Sequence, residues 1–473
     1  SNMSFNSLFF VIFLLSVCLL MRIVKGKQKR ILLVSANIVF YSSNSIFSIC
    51  LLFLTVVLTY VCGIFLYKRR KRSLLFVGVT LLLVPLFLYK YFNFIVGLFD
   101  IKPVETFSLL PLGISFYTFQ AIGYIVDVYK AKIEPERNII NLALFLSMFF
   151  CYGGPIERTN NLLTQIREMT NRNEEIPPER YSIGFRRLLY GCFLKVFVAE
   201  TIALVVNPVY SNYSSYSGAF LLFSTALFGM QLYCDFSGYS LMALGTASCL
   251  GFDIINNFNS PYLSVSVTDF WRRWHISLSI WFRDYVYFPL GGSRCSKMRA
   301  HFNRLITFSL SGVWHGANLT FLIWGFLNGL FLCFESALGI KDVNKRGAKA
   351  KIGRIYSWIL INISWVFFRA SSLNDAIGIL HKVITETISD IISVVCRRVD
   401  INSIIPIGVT QLYTYFLIFV GLVFVITADV YRYKTGDISI ALQSWSVSKR
   451  WVLYFTLGVL FMVFGAWTTA GNF

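Results

Sequence analysis

Two of the four histidines in this 473-residue chain lie inside strongly apolar stretches. His315 lies within 310–324 and His275 within 269–284, each among Trp, Phe, Leu and Ile residues. Because a polar group is costly in apolar surroundings, an ionisable side chain at membrane depth predicts a functional site. A neutral imidazole takes a proton from a hydroxyl near neutral pH and so activates it as a nucleophile. A second imidazole orients the first, or stabilises negative charge that develops on a carbonyl oxygen.

Further polar residues fall in the same window of the sequence, 227–328. Arginines near a cytoplasmic helix end are suited to phosphate or carboxylate groups of a donor. Gly312 and Gly316, beside His315, permit close approach of helices or substrate. The residues that we expect to bind donor or substrate, or to support the two histidines, are Asp235, Ser237, Asp269, Arg272, Trp274, Arg283, Trp314 and Asn318.

Each of these residues also has a structural interpretation, which the sequence leaves open. Asp235 either takes part in the chemistry or pairs with an arginine to join two helices. Arg272 and Arg273 either bind a donor or anchor the chain at the membrane interface. The tryptophans line a substrate tunnel or belong to the core or the interfacial belt. His315 alone could be a structural residue, but two histidines, an arginine pair and an aspartate in one window favour a site.

Other kinds of site are disfavoured by the sequence. It contains no Walker A sequence, no HExxH and no GxSxG pattern. The four histidines and ten scattered cysteines, without a CxxC pair, lack the spacing of a metal centre, so no metal site is expected. We expect most of the cysteines to be small core residues rather than disulfide partners.

The elements that must position the candidate residues are membrane helices. Hydrophobic residues make up 56% of the chain, charged residues only 14%, and the mean hydropathy is +0.64. A soluble domain cannot bury that much apolar surface, so we predict an all-α polytopic membrane protein. The apolar stretches predict roughly 11 to 13 spanning and re-entrant helices. One predicted span, 267–290, carries His275, and the stretch 302–338 is long enough for two passes.

Basic residues set the predicted orientation. The net charge is +20, and much of it is concentrated around 22–30, 68–72 and 294–304. By the positive-inside rule these segments face the cytoplasm. The remaining role of the charge is attraction to anionic lipid of the bilayer. Nucleic-acid binding is not expected, because no basic surface helix or aromatic platform accompanies the charge.

The chain shows no soluble domain, and we expect one integral-membrane domain over 3–473, with 1–2 as a remnant of cloning. The stretch 371–396 differs from the predicted spans, because its isoleucines recur at helical spacing with charged residues on the other faces. This pattern predicts a helix in the plane of the membrane interface. His381 in this stretch and His301 in a basic loop are expected to be surface groups.

Eight motifs follow one another between 105 and 370, at 111–129, 154–158, 233–239, 257–262, 268–279, 281–285, 312–318 and 365–370. They include Thr-Asp-Phe-Trp-Arg-Arg-Trp-His at 268–275 and Gly-Val-Trp-His-Gly-Ala-Asn at 312–318. In this order they resemble the membrane-bound O-acyltransferase family. The most similar branch is the bacterial one that includes the alginate O-acetylation membrane protein, and the teichoic-acid D-alanylation membrane protein is more distant.

The resemblance implies a ring of helices around a thinned centre and a tunnel. A donor from the cytoplasm and an acceptor from outside would meet near His315, which matches the family's catalytic histidine. His275 matches a second position that is often Asn in eukaryotic members. The resemblance further implies no tightly bound cofactor, acetyl-CoA or another acyl thioester as donor, and a location in the bacterial inner (cytoplasmic) membrane. In this branch the acyl group is usually acetyl, passed outward to a secreted SGNH-type O-acetyltransferase that modifies an exopolysaccharide or peptidoglycan.

The sequence therefore leaves three alternative functions. The leading one is transfer of an acetyl group across the membrane for O-acetylation of an extracytoplasmic glycan, with His315 as general base and His275 assisting. The second is transfer of D-alanine from a carrier protein to a cell-wall polymer. The third is transport of a lipid or sugar, because intramembrane polar residues suit a transporter as well.

Overall fold

The computed structural model describes residues 3–43, 45–169, 175–340, 347–406 and 408–466. The predicted cloning remnant, 1–2, lies outside the described residues. Those residues form helices and no strand, which confirms the predicted all-α class. By their contacts they divide into two compact units. The first comprises the described residues of Ser1–Leu188 with Tyr239–Asn257 and Ile280–Tyr285, and the second comprises Leu189–Gly238, Phe258–Ser279 and the described residues of Val286–Phe473.

The first unit is built mainly from the N-terminal helices. A buried asparagine ties two of its segments together, because Asn37 Nδ2 donates to Ser147 Oγ (3.0 Å) and Asn37 Oδ1 accepts from Phe149 N (3.0 Å). Such pairing removes the cost of burying an amide. The α-helices are α1 Leu8–Ile23, α2 Lys27–Ser42, α3 Ile46–Lys68, α4 Arg72–Lys90, α5 Phe92–Gly97, α6 Ile114–Tyr129, α7 Ile139–Ser147 and α8 Thr164–Met169.

Three later helices contain a unit boundary, and the remaining ones belong to the second unit. The divided helices are α9 Pro178–Cys192, α11 Gly218–Cys249 and α13 Ile276–Phe282. The others are α10 Glu200–Ser211, α12 Val267–Arg273, α14 Lys297–His315, α15 Leu319–Ala337, α16 Ala348–Arg369, α17 Leu373–Val395, α18 Val409–Thr435, α19 Ile438–Ala441 and α20 Val447–Val463. A π-helical stretch, Phe193–Ala199, joins α9 to α10.

Six helices among the described residues are long and apolar enough to cross a membrane. They are Ile46–Lys68, Arg72–Lys90, Pro178–Ser211, Gly218–Cys249, Leu319–Ala337 and Val409–Thr435. The chain is therefore a multi-pass membrane protein. The larger number of 11 to 13 spanning and re-entrant helices, and their arrangement as a ring around a tunnel, stay predictions.

The predicted span 267–290 is wrong as a single helix. It is broken into α12 and α13, each seven residues long, and a π-helical turn, Arg283–Tyr287. The break lies at His275, whose φ of +43° is in the left-handed region that a continuous right-handed helix cannot contain. The stretch 302–338 does contain two helices, the end of α14 and α15, with a break at 316–318.

Helices α14 and α15 approach each other through glycines. A Cβ on Gly312 would collide with the carbonyl oxygen of Phe321, and a Cβ on Gly325 would collide with the carbonyl oxygen of Phe308. Each helix thus lays its backbone directly on the other, as small residues permit in membrane proteins. Asn318 begins α15 as its N-cap, with Oδ1 accepting from Thr320 N (3.1 Å). His315 is the last residue of α14 and therefore lies at the end of this helical hairpin where the chain turns into α15.

A buried carboxylate fixes the start of α12. Glu335, only 1% exposed near the end of α15, accepts from Val267 N (2.7 Å), Thr268 N (2.9 Å) and Thr268 Oγ1 (2.6 Å). The next free amide, Asp269 N, donates to the N-cap Ser266 Oγ (3.0 Å). The first amides of a helix lack intrahelical partners and carry partial positive charge, so a carboxylate is the natural partner. Glu335 therefore connects α15 to the segment that leads to His275.

The predicted helix in 371–396 is present as α17. Its polar face is attached to the protein, because Glu386 Oε2 accepts from Gly218 N (3.1 Å) and Asp390 Oδ2 accepts from Ala219 N (3.0 Å) at the start of α11. Its apolar face is exposed, with Ile384 at 74% and Ile388 at 69%. An exposed apolar face suits contact with lipid. The location of α17 at the membrane interface stays a prediction.

We expect Gly325→Ala to destabilise the protein, because the new methyl group meets backbone atoms of α14 that cannot move aside alone. Overpacking of this kind costs about 1–3 kcal/mol. The measurement is the apparent melting temperature of the detergent-solubilised protein. Gly458→Ala in α20 is the matched control, since a Cβ there has nothing within 4 Å and alanine favours a helix. Equal melting temperatures for the two variants would contradict the close contact of α14 and α15.

We expect Glu335→Gln to lower both stability and activity. The amide group of glutamine would face backbone donors, and an unsatisfied buried donor costs about 1–3 kcal/mol. Ser336→Ala, which changes an exposed neighbour, controls for the substitution in this helix. Thermal unfolding and product formation in membranes check both effects. A Glu335→Gln protein that is as stable and as active as wild type would show that this carboxylate does not position α12.

Candidate active site

His315 lies at the C-terminal end of α14 and is enclosed by aromatic rings. Its ring centroid is 5.0 Å from that of Trp314, 5.2 Å from that of Trp324 and 5.3 Å from that of Phe368. The Trp324 ring is perpendicular to the imidazole, with an interplanar angle of 89°. Unlike His275, His315 is partly accessible. The arrangement surrounds a titratable group with apolar rings without burying it completely.

His275 lies between α12 and α13, where its strained backbone turns the chain. It is 2% exposed, its ring is 4.6 Å from that of Phe236, and its Nδ1 atom has no hydrogen-bond partner among the described residues. The segment lies outside the six helices that are long enough to span. Burial lowers the pKa of His275 well below its usual range, and the neighbouring His315 lowers it further. His275 is therefore neutral at physiological pH.

The two histidines are neighbours, as the sequence predicted for a shared site. Their ring centroids are 6.5 Å apart, and Trp314 contacts both rings, at 6.1 Å from His275 and 5.0 Å from His315. At this separation one small group, such as an acyl carbonyl or a hydroxyl, reaches both imidazoles. Backbone strain and an unpaired buried nitrogen are costs that proteins retain mainly at functional sites.

An aromatic cluster packs next to the two histidines. Trp274, 4% exposed, stacks on Phe270 with ring centroids 5.4 Å apart, and it lies 5.1 Å from Trp365. Trp365 in turn stacks on Trp324 at 5.9 Å. Trp274, which precedes His275 in the chain, is thus packed among other aromatic rings, whereas Trp314 and Trp324 contact the His315 ring directly. Rigid aromatic packing of this kind restricts the orientations of both imidazoles.

Asp235 and Ser237 occupy different surroundings on α11. Asp235 forms an ion pair with Lys195, so the expected pairing of Asp235 exists but with a lysine rather than an arginine. Ser237 is 2% exposed, and its Oγ has no hydrogen-bond partner among the described residues. The intervening Phe236 packs against His275. This part of α11 therefore borders the site, while the charge of Asp235 is directed to the π-helical stretch.

Asp269 and Asn318 brace the backbone near the histidines. Asp269 Oδ1 accepts from Arg273 Nε (2.8 Å) and its Oδ2 accepts from Val265 N (3.2 Å). Asn318, the N-cap of α15, also donates from Nδ2 to Ser371 O (3.0 Å). Both residues connect the loops that flank the two histidines. Arg272, by contrast, is exposed on α12.

Arg283 belongs to the first unit rather than to the one that contains the histidines. Its Nε donates to Asp284 Oδ1 (2.9 Å), and its side chain is 53% exposed. In the same unit Asp284 also binds Arg158 at 2.6 Å, and the Arg158 guanidinium lies 4.7 Å from the ring centroid of Tyr285. The motifs at 154–158 and 281–285 thus meet each other inside the first unit.

Glu157, in the 154–158 motif, is a buried acid that the sequence did not single out. It accepts from Ile255 N (2.6 Å) and Asn161 Nδ2 (2.8 Å). Burial raises the pKa of Glu157 to about 7, although these hydrogen bonds oppose the shift. Its contacts anchor the turn after α11 to the loop before α8.

Three further residues of the second unit were missed by sequence reasoning. Glu335 positions α12, as described above. Asp429, on spanning helix α18, accepts from Tyr233 Oη (2.8 Å), and its carbonyl accepts from Ser260 Oγ (3.0 Å). Lys195 pairs with Asp235. A lone carboxylate or ammonium in an apolar run was the available signal, but the run alone does not identify its partner.

The geometry of the two histidines is suited to proton transfer. Among the described residues no group of three or more His, Cys, Asp or Glu side chains is placed to hold a metal ion. Two adjacent imidazoles, one neutral and buried and one more accessible, can divide the tasks of general base and carbonyl polarisation.

Comparison with known proteins places this chain in a family. The family model of the membrane-bound O-acyltransferases matches residues 136–367, which include both histidines. The chain is 37% identical over 389 residues to the probable alginate O-acetylase AlgI of Pseudomonas aeruginosa, covering 79% of this chain and 73% of that protein. It is 30% identical over 392 residues to the peptidoglycan O-acetyltransferase of Helicobacter pylori, covering 75% of this chain and 73% of that protein.

A more distant relative carries a different acyl group in its name. The teichoic acid D-alanyltransferase of Bacillus subtilis is 26% identical over 356 residues, covering 69% of this chain and 87% of that protein. The expected order of similarity, with the alginate branch ahead of the D-alanine branch, is thereby confirmed. With its paired histidines and apolar helices, the chain belongs to the membrane-bound O-acyltransferase family and is an acyltransferase.

Proposed function

We propose that the protein moves an acetyl group from a cytoplasmic thioester, such as acetyl-CoA, across the membrane for O-acetylation of an extracytoplasmic polysaccharide or peptidoglycan. The observation that carries the proposal is the contact of His275 and His315 inside a buried aromatic site. Support for acetyl as the acyl group comes from the O-acetylating relatives at 30–37% identity. The 26% identity to a D-alanyltransferase makes D-alanine the less favoured acyl group.

His315 is the general base of the proposed reaction. Its imidazole removes the proton of the accepting hydroxyl, and the hydroxyl oxygen attacks the thioester carbonyl carbon. The carbonyl π electrons move onto oxygen, and their return breaks the C–S bond. The thiolate leaves and takes the proton from the His315 imidazolium, so the products are an ester and a free thiol without any redox change. The more accessible position of His315 suits a group that must meet the hydroxyl.

His275 assists from the buried side. Because its pKa is low, His275 stays neutral and does not compete with His315 for the proton of the hydroxyl. A neutral His275 also avoids charge repulsion with the protonated His315. A neutral imidazole has one N–H donor, which is suited to the carbonyl oxygen where negative charge develops. The absence of a protein partner for Nδ1 among the described residues leaves a ring nitrogen available to substrate.

The proposal extends to the surroundings of the enzyme. The protein resides in the inner (cytoplasmic) membrane of a bacterium, and a secreted SGNH-type O-acetyltransferase receives the acetyl group on the outer side. No tightly bound cofactor is required, because the thioester donor is a substrate. Transport of an intact lipid or sugar is disfavoured, because the family assignment makes the chain an acyltransferase.

Substitution of His315 tests the mechanism. We expect His315→Ala to lower transfer of labelled acetyl from acetyl-CoA by about 10²–10⁴-fold, since a positioned general base contributes that factor. The measurement uses inverted membrane vesicles from cells in which the variant replaces the chromosomal copy. His381→Ala, at an exposed position on α17, is the matched histidine control and should transfer normally. Full transfer by a stably inserted His315→Ala protein would overturn the mechanism.

Substitution of His275 separates its role from that of His315. We expect His275→Asn to retain more activity than His275→Ala, because an amide still donates a hydrogen bond to the carbonyl oxygen. The comparison is made on kcat in the same vesicles. Equal kcat values for the two His275 variants would argue against carbonyl polarisation by this side chain.

Loss of D-alanyl esters but not acetyl esters on deletion of the gene would instead establish the D-alanine alternative.

A further inference from the structure

The indole of Trp324 is an unusual member of the cluster around His315. It is 1% exposed, and its ring stands perpendicular to the imidazole at 5.2 Å between centroids. Its Nε1 atom is buried and has no hydrogen-bond partner among the described residues. An indole N–H is a donor only, and leaving it unpaired in an apolar interior costs free energy.

Neighbouring tryptophans show that the fold is able to satisfy such donors. Trp271, whose ring is 5.5 Å from that of Trp324, donates from Nε1 to Asn328 Oδ1 (3.2 Å). Trp365, which stacks on Trp324 at 5.9 Å, donates from Nε1 to Tyr262 Oη (3.2 Å). The same cluster therefore pairs two of these three indoles internally. The unpaired donor is the one whose ring contacts the proposed catalytic base.

Close packing fixes the position of Trp324. The ring contacts Trp271, Trp365 and Phe368, and it lies on α15 one residue before Gly325, where the helix is pressed against α14. A ring held on several sides loses little entropy when it binds a substrate atom. Preorganised donors of this kind stabilise charge that develops in a transition state.

We propose that the Trp324 N–H donates a hydrogen bond to the acyl group that reacts at His315, at the carbonyl oxygen that becomes the oxyanion. This inference rests on the proposed function, and it adds a second donor beside His275. The chemical class of the ligand is a thioester carbonyl in the ground state and a tetrahedral oxyanion in the transition state. Trp324 is then a catalytic residue that moves no proton and forms no covalent bond.

The experiment removes only the N–H. Trp324 is replaced by 3-benzothienyl-alanine, in which sulfur takes the place of the indole N–H and the bicyclic shape is kept, with Trp324→Phe as the genetically encoded version. We expect kcat for acetyl transfer from acetyl-CoA to fall by about 10²- to 10³-fold, the range for loss of an oxyanion donor. The KM for acetyl-CoA should change far less, because the bond strengthens only as charge develops. The melting temperature of the benzothienyl-alanine protein should stay the same or rise, because an unpaired buried donor has been removed. Trp324→Phe also leaves a cavity and should therefore lower the melting temperature.

The same replacement at Trp271 is the matched control. Its N–H already binds Asn328, so the control should lower the melting temperature and leave the acceptor oxygen unpaired. Wild-type kcat in the Trp324 replacement, with the melting temperature of wild type, would overturn the inference. So would a fall in kcat that is matched by loss of folded protein. Failure of the proposed function is distinguishable from failure of this inference. Full acetyl transfer by His315→Ala, or no acetyl transfer by the wild-type protein, would contradict the proposed function without testing the role of Trp324.

Discussion

The hydrogen bonds of Glu335 to the first amides of α12 are the interaction on which the site depends. Burial of a carboxylate costs several kcal/mol unless its oxygens are satisfied. Here two backbone amides and a hydroxyl satisfy them at 2.6–2.9 Å, at a helix end that already favours negative charge. Because Glu335 is carried by α15, and α15 lies on α14 through Gly312 and Gly325, one helix locates both histidine-bearing segments.

This arrangement explains how His275 tolerates a costly backbone. A non-glycine residue with positive φ persists only when its surroundings impose it. Glu335 fixes the start of α12, Trp274 is packed at its end, and Ser279 N donates to His275 O (3.0 Å) at the start of α13. With both sides held, the turn between the helices has little freedom left. The turn at His275 places its buried imidazole near His315, at the end of α14. An uninterrupted helix through this segment would not place it there.

The sequence was sufficient for the features that depend on residue type and order. Two histidines among aromatic residues predicted that the two imidazoles lie close together, and motifs in family order predicted the acyltransferase assignment. A continuous span through His275 was wrong, because hydropathy does not register a single left-handed residue. The partner of Asp235 was not predictable, since Lys195 is 40 residues away in an apolar run with no periodic signal. Glu335 was missed because two of its three partners are backbone amides, which no side-chain pattern reveals.

The division of labour among the aromatic residues follows from their polar atoms. Their rings are nearly interchangeable as apolar bulk, and each buried ring excludes water from the histidines. Water in the site would hydrolyse a thioester instead of allowing its acyl group to reach a hydroxyl, so exclusion favours transfer. The indole nitrogens differ, because Trp271 and Trp365 use theirs to hold the cluster together. Trp324 contributes the same packing without such a bond among the described residues, so of these three indole donors it is the one available to a bound acyl oxygen.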